Sequence, residues 1–126
     1  MLAYAVVFVG AGIGGALRHG VNLGSARLFG VGFPYGTFTV NVVGSLIMGL
    51  IAGWFALKGD ATGHLRLFLA TGIMGGFTTF SAFSLDALLL IERQQWSLAA
   101  LYIGASVVGS ILALLAGLWI MRTIYG

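Results

Sequence analysis

Four runs of about twenty apolar residues, each closed by charge, glycine or proline, restrict this chain more than any other feature of its sequence. A hydrocarbon layer about 30 Å thick is crossed by about 20 helical residues. Within that layer every backbone N–H and C=O needs a partner from the segment itself, so each run is predicted to be a transmembrane helix. The first runs from Leu2 into the twenties, with Arg18 and His19 toward its far end. The loop after it carries Arg27, Gly30, Gly32 and Pro34, the one proline. The second spans about Gly36 to Leu57 and stops at Lys58-Gly59-Asp60. The third runs from about His64 to the low nineties and stops at Glu92-Arg93-Gln94-Gln95. The fourth extends from Trp96 to about Arg122, with Trp96 and Trp119 placed as interface anchors. The predicted fold is an all-α membrane protein with four transmembrane helices in one domain, residues 1–126. The first run lacks a basic leader and a clear cleavage site, and is expected to be a retained span.

Composition closes off most function classes. The chain is 60% hydrophobic and 7% charged, where a soluble domain carries about 25% charged residues. It has no Cys, so it offers no disulfide framework, thiolate metal site or thiol nucleophile. His19 and His64 flank spans, and no His and carboxylate spacing would build a metalloenzyme. No nucleophile, base and orienting residue can be assembled, so the chain is expected not to be an enzyme. Its net charge of +3 rests on six scattered basic residues, which gives no nucleic-acid footprint.

The third run contains an anomaly. Gly75-Gly76-Phe77-Thr78-Thr79-Phe80-Ser81-Ala82-Phe83 gathers glycines, β-branched hydroxyl residues and aromatic rings within a membrane-grade segment. Glycine costs about 1 kcal/mol in a helix interior, so the third helix is predicted to break mid-membrane near Gly75 to Thr79. Irregular backbone at that depth is tolerated where protein covers it or where it lines a polar path. In the fourth run Tyr102, Ser106 and Ser110 lie at i, i+4 and i+8 on one face. Such hydroxyls either bond back to their own helix or line a route. Asn41 is interhelical glue or a pathway donor. Arg18 either snorkels from the span end or attracts anions to a vestibule with Asn22. Asp86 is interfacial or paired rather than a proton carrier. Phe80 and Phe83, at i and i+3, are core residues or present their positive ring edges to a small anion.

Four spans put both termini on one side, and the basic residues then tie: Lys58, Arg66 and Arg122 against Arg18, Arg27 and Arg93. If Arg18 sits inside the bundle, the count is three against two. Neither number fixes an orientation, and the sharper reading is dual topology, with copies inserted both ways and paired antiparallel. With 21 glycines among 126 residues, small-residue rows at Asn41, Ser45, Gly49, Gly53 and at Ala105, Gly109, Ala113, Gly117 are expected to be close packing seams.

Three motifs then carry a resemblance over the whole length. Gly12-Ile13-Gly14-Gly15-Ala16-Leu17-Arg18, Gly36-Thr37-Phe38-Thr39-Val40-Asn41 and Gly72-Ile73-Met74-Gly75-Gly76-Phe77-Thr78-Thr79-Phe80-Ser81-Ala82-Phe83 resemble the Fluc (CrcB) fluoride channel family. That resemblance implies an antiparallel, dual-topology homodimer in a bacterial inner membrane, conducting F⁻ passively through two pores. It implies that Phe80 and Phe83 contact the anion and that Asn41 lines the vestibule end. Tyr102, Ser106 and Ser110 would form a polar face along each pore, joined by Thr79 and Ser81, and Arg18 matches the family's span-one arginine. Carbonyls of Gly75 and Thr78 would hold a structural Na⁺ at the dimer interface. Ala82 departs from the usual Thr and removes one hydroxyl beside the phenylalanines. The alternative is a small multidrug-type proton-coupled exporter, which needs a carboxylate in its first span, and here that span has none.

Overall fold

The computed structural model describes residues 1–60 and 63–126. Its described residues are helical or in connecting turns, and four segments are long and apolar enough to cross a membrane: Leu2–Phe29, Tyr35–Lys58, His64–Glu92 and Trp96–Tyr125. The first is helix α1 and the second α2. Both close on glycines with positive φ, Gly30 at 78° and Gly59 at 74°, a conformation that side chains with a Cβ resist. The third segment is composite. It holds α3 (His64–Arg66), a π-helix (Leu67–Met74), α4 (Gly75–Phe77) and, after a break, α5 (Ser81–Glu92). The fourth is α6 (Trp96–Tyr125).

The break lies a few residues beyond the glycines expected to cause it. Gly75 and Gly76 are helical, whereas Thr78 turns extended at φ −87° and ψ 159°. Gly76 is small because α1 is near: a Cβ there would stand 2.9 Å from the Ala11 Cα. The same crowding recurs at Gly14, where a Cβ would come within 2.7 Å of the Phe77 nitrogen. These contacts seat the third span tightly on α1, the two running parallel. Of the two small-residue rows, Gly49 and Gly53 of α2 meet Gly117 and its neighbours on α6, with a Cβ on Gly117 falling 2.7 Å from the Leu50 nitrogen. Lipid tails are as apolar as leucine, so such backbone proximity replaces hydrophobic burial as the packing force.

Little of the chain is interior. Val40, Met74 and Phe77 form one buried cluster, and Phe83, Ala87, Leu90, Ala99 and Tyr102 form another. Phe8, Leu28, Ile111 and Trp119 are exposed, which suits a surface solvated by acyl chains. A methyl group on Gly49 would meet the Leu114 and Gly117 backbone, whereas one on Gly12 meets nothing within 4 Å. Gly49→Ala should therefore cost about 1–3 kcal/mol of stability, and Gly12→Ala should be neutral or gain up to about 1 kcal/mol. Thermal melting in detergent separates the two; equal shifts would contradict the close-packed seam.

Candidate functional site

The break is held open by a side chain from another span. The Asn41 amide oxygen accepts the Thr79 N–H at 2.8 Å, and its Nδ2 donates to the Thr79 carbonyl at 2.9 Å. An asparagine amide imitates a peptide group, so this pair is a two-bond ladder between α2 and the backbone of Thr79. Next to it, the Thr79 hydroxyl accepts the Ala82 N–H at 3.2 Å and starts α5, a capping role that the N-cap residue Phe80 does not fill. The Thr78 hydroxyl bonds back to the Met74 carbonyl at 2.9 Å.

These substitutions release carbonyls in a definite pattern. Continuing the α-helix would pair the Gly75 carbonyl with the Thr79 N–H and the Thr78 carbonyl with the Ala82 N–H. Both donors are spent elsewhere, on Asn41 and on the Thr79 hydroxyl. The Gly76 carbonyl, between them, is served by Arg18, whose Nε donates to it at 3.1 Å. Arg18 is half-buried within the bundle, so it leaves the loop charge tally at three against two. The carbonyls of Gly75 and Thr78 thus lose their helical donors, as does that of Phe77, whose helical donor would be the Ser81 N–H; such carbonyls are of the kind that suit a hard cation.

Beside the break, α2, α4, α5 and α6 border a broadly open cavity of about 460 Å³. Asn41, Thr79, Phe80, Phe83, Ser106 and Ser110 line it, together with Gly75 and Thr78. The structure therefore brings together most of the residues singled out in the sequence. Ser106 is 4% exposed and its Oγ has no hydrogen-bond partner among the described residues, so it does not bond back to the Tyr102 carbonyl as a packing serine would. A buried hydroxyl without a partner costs about 1–3 kcal/mol, and the Ser106 Oγ is itself inaccessible although its residue borders the cavity. The walls are neutral: hydroxyls, an amide and aromatic rings, with no acid or base among them.

The two phenylalanines stand 5.6 Å apart at 41°, and Phe83 in turn lies 5.2 Å from the Tyr102 ring. Phe80 is 77% exposed, while Phe83 is buried. Tyr102 does not line the cavity. It is fully buried, meets Phe33 edge-on at 5.5 Å and 88°, and donates a long 3.4 Å hydrogen bond to Asp86. Beyond it a second cavity, about 300 Å³, is lined by Asn22, Ser25, Thr37, Ala82 and Asp86. Ala82, where a hydroxyl is lacking, faces this second cavity. Ser81 is exposed and reaches the Thr79 hydroxyl at 3.3 Å.

Sequence reasoning missed the π-helix and the tie between Asn41 and Thr79. The π-helix, LFLATGIM, carries no local signal that separates it from an α-helix. The tie is foreshadowed only by a lone amide and a helix break that each need partners.

The family described as CrcB-like protein, Camphor Resistance (CrcB), matches residues 5–118. A relative from Rhodopseudomonas palustris strain BisB5, called fluoride-specific ion channel FluC, is 57% identical over 98% of this chain and 99% of its own length. One of the same name from Methylobacterium nodulans is 58% identical over 97% of this chain and 98% of its own. Another from Hyphomonas neptunium is 49% identical, with 99% of each chain covered.

Asn41→Leu should leave both backbone groups of Thr79 without partners and cost about 2–5 kcal/mol. Amide exchange at Thr79 should accelerate by at least about 30-fold, the factor equal to about 2 kcal/mol. A Thr79 amide still protected in Asn41→Leu would show that the break holds itself open.

Proposed function

This chain belongs to the CrcB-like family, and from that premise we propose that it forms a passive, fluoride-selective channel. The observation that carries the reading is the neutral cavity at the helix break, with an orphaned Ser106 hydroxyl in its wall and Phe80 and Phe83 beside it. Fluoride is small and strongly hydrated, and passage requires that its water be replaced without binding it too firmly. Hydroxyl donors from Ser106 and Ser110 and the remaining N–H of Asn41 replace part of the shell. Ring edges of Phe80 and Phe83 carry partial positive charge and continue the path where hydroxyls end. Each contact is weak and none is a fixed cation, so the ion exchanges from one to the next. Thr79 and Ser81 extend the polar surface at the rim, and Tyr102 sets the Phe83 ring from behind.

Two copies, inserted antiparallel in a bacterial inner membrane, complete the channel. Support comes from the cavity's open side, from the exposure of Phe80, and from a charge distribution that favours neither orientation. Two such copies make two pores. Gly75 and Thr78 would supply two carbonyls each to a Na⁺ between the copies; bound there, the cation would neutralise the carbonyls and tie the subunits together. One chain alone supplies too few donors for it. Among the described residues no cluster of His or acidic side chains offers another metal site. Arg18, held by the Gly76 carbonyl, contributes positive potential near the vestibule rather than a direct ligand. Asp86 is the acid nearest the second cavity, and α1 contains none, which disfavours a proton-coupled exporter.

Protein in liposomes loaded with F⁻ should release it rapidly and electrogenically, with little Cl⁻ passage; efflux that requires a proton gradient would refute the proposal. Phe80→Ile should cut fluoride efflux by about 100-fold or more, a loss of about 2.7 kcal/mol in the barrier. The fold of the single chain should survive the change, since Phe80 is 77% exposed in it. Exchange of Na⁺ for N-methylglucamine during purification should weaken the dimer, read as a shift toward monomer in size-exclusion chromatography. Indifference to that exchange would remove the structural cation from the account.

A further inference from the structure

The close seams join the spans in two pairs, α1 with the third segment and α2 with α6, and contact between the pairs is uneven. Near the break Asn41 ties them together. Toward the other end of α2 they diverge and leave a cleft of about 210 Å³, lined by Met48, Ile51, Ala52, Phe55, Ala70 and Arg66. Its walls are apolar along about two turns of α2, roughly 10 Å of helix. The single cation stands at one end.

That end marks the membrane surface. Trp54 and Tyr125 pack edge-on at 5.4 Å, an aromatic pair of the kind that settles at the headgroup level. Lys58 lies over both rings, 5.8 Å and 5.7 Å from their centroids, and so leans toward α6 rather than the cleft. The Asp60 carboxylate accepts the Arg66 backbone N–H at 2.9 Å, which fixes where the third segment starts while drawing on the main chain of Arg66. The exposed Arg66 side chain is left to the cleft mouth. A guanidinium pairs phosphate with two parallel hydrogen bonds, and a basic pocket between spans at the surface suits a lipid headgroup.

We propose that this cleft binds one anionic phospholipid, its phosphate on Arg66 and an acyl chain against Met48, Ile51, Ala52, Phe55 and Ala70. The small side chains of Ala52 and Ala70 are what leave the slot open. A zwitterionic lipid brings its own ammonium beside Arg66 and gains less. The site lies apart from the break, so it does not depend on what crosses the cavity there.

Native mass spectrometry of the whole protein, released from micelles holding equal phosphatidylglycerol and phosphatidylcholine with matched chains, tests this without any ion flux. Phosphatidylglycerol adducts should outnumber phosphatidylcholine adducts by about fivefold in the unaltered protein. Arg66→Gln should bring the ratio close to one, Arg66→Lys should keep most of it, and Ala52→Trp should deplete adducts of both lipids by filling the slot. Equal adducts in the unaltered protein overturn the proposal with no variant needed. So does a preference that survives Arg66→Gln.

Discussion

Two hydrogen bonds between Asn41 and the backbone of Thr79 are the constraint on which the rest of the molecule turns. Without them both backbone groups of Thr79 would stand inside the membrane without partners. Beside them Thr78 is extended, α5 restarts on the Thr79 hydroxyl, and the carbonyls of Gly75 and Thr78 are left without helical donors. The cavity and the rings of Phe80 and Phe83 lie directly beside that interaction. Arg18 relieves the neighbouring Gly76 carbonyl, so the break exposes chosen groups instead of a general defect.

How little charge surrounds the break is as informative as the break itself. Fixed cations in a low-dielectric site would bind a small anion for too long, because Coulomb attraction grows as the dielectric falls. In the proposed channel, hydroxyls, one amide hydrogen and ring edges would spread the same task over many weak contacts. Ser106 makes the case in one residue: it is buried, it bonds to none of the described residues, and it lines the cavity. Small-residue seams elsewhere serve the same end, since they hold the spans rigidly enough for weak contacts to stay in register.

Much of this was legible in the sequence, for identifiable reasons. Span number and limits follow from the cost of unpaired backbone in hydrocarbon, and the helices from Leu2, Tyr35, His64 and Trp96 begin where charge and breakers place them. The face carrying Ser106 and Ser110 follows from helical periodicity, and both residues line the cavity. Tyr102 shares that periodicity but points into packed rings, because periodicity gives a face and not which neighbour occupies it. Gly75 and Gly76 read as helix breakers, yet both are helical; Gly76 serves the approach of α1, a long-range contact that local propensity cannot express. The partnership of Asn41 with Thr79, 38 residues apart, was likewise beyond local reasoning.

The central claim is selective passive conduction through the neutral cavity beside the Asn41 tie. Its most direct test is the reversal potential of the protein in a planar bilayer with fluoride on one side and chloride on the other. The account requires a potential close to the fluoride equilibrium value, unmoved by a superimposed pH difference. A potential near zero, or one that follows the proton gradient, would contradict it.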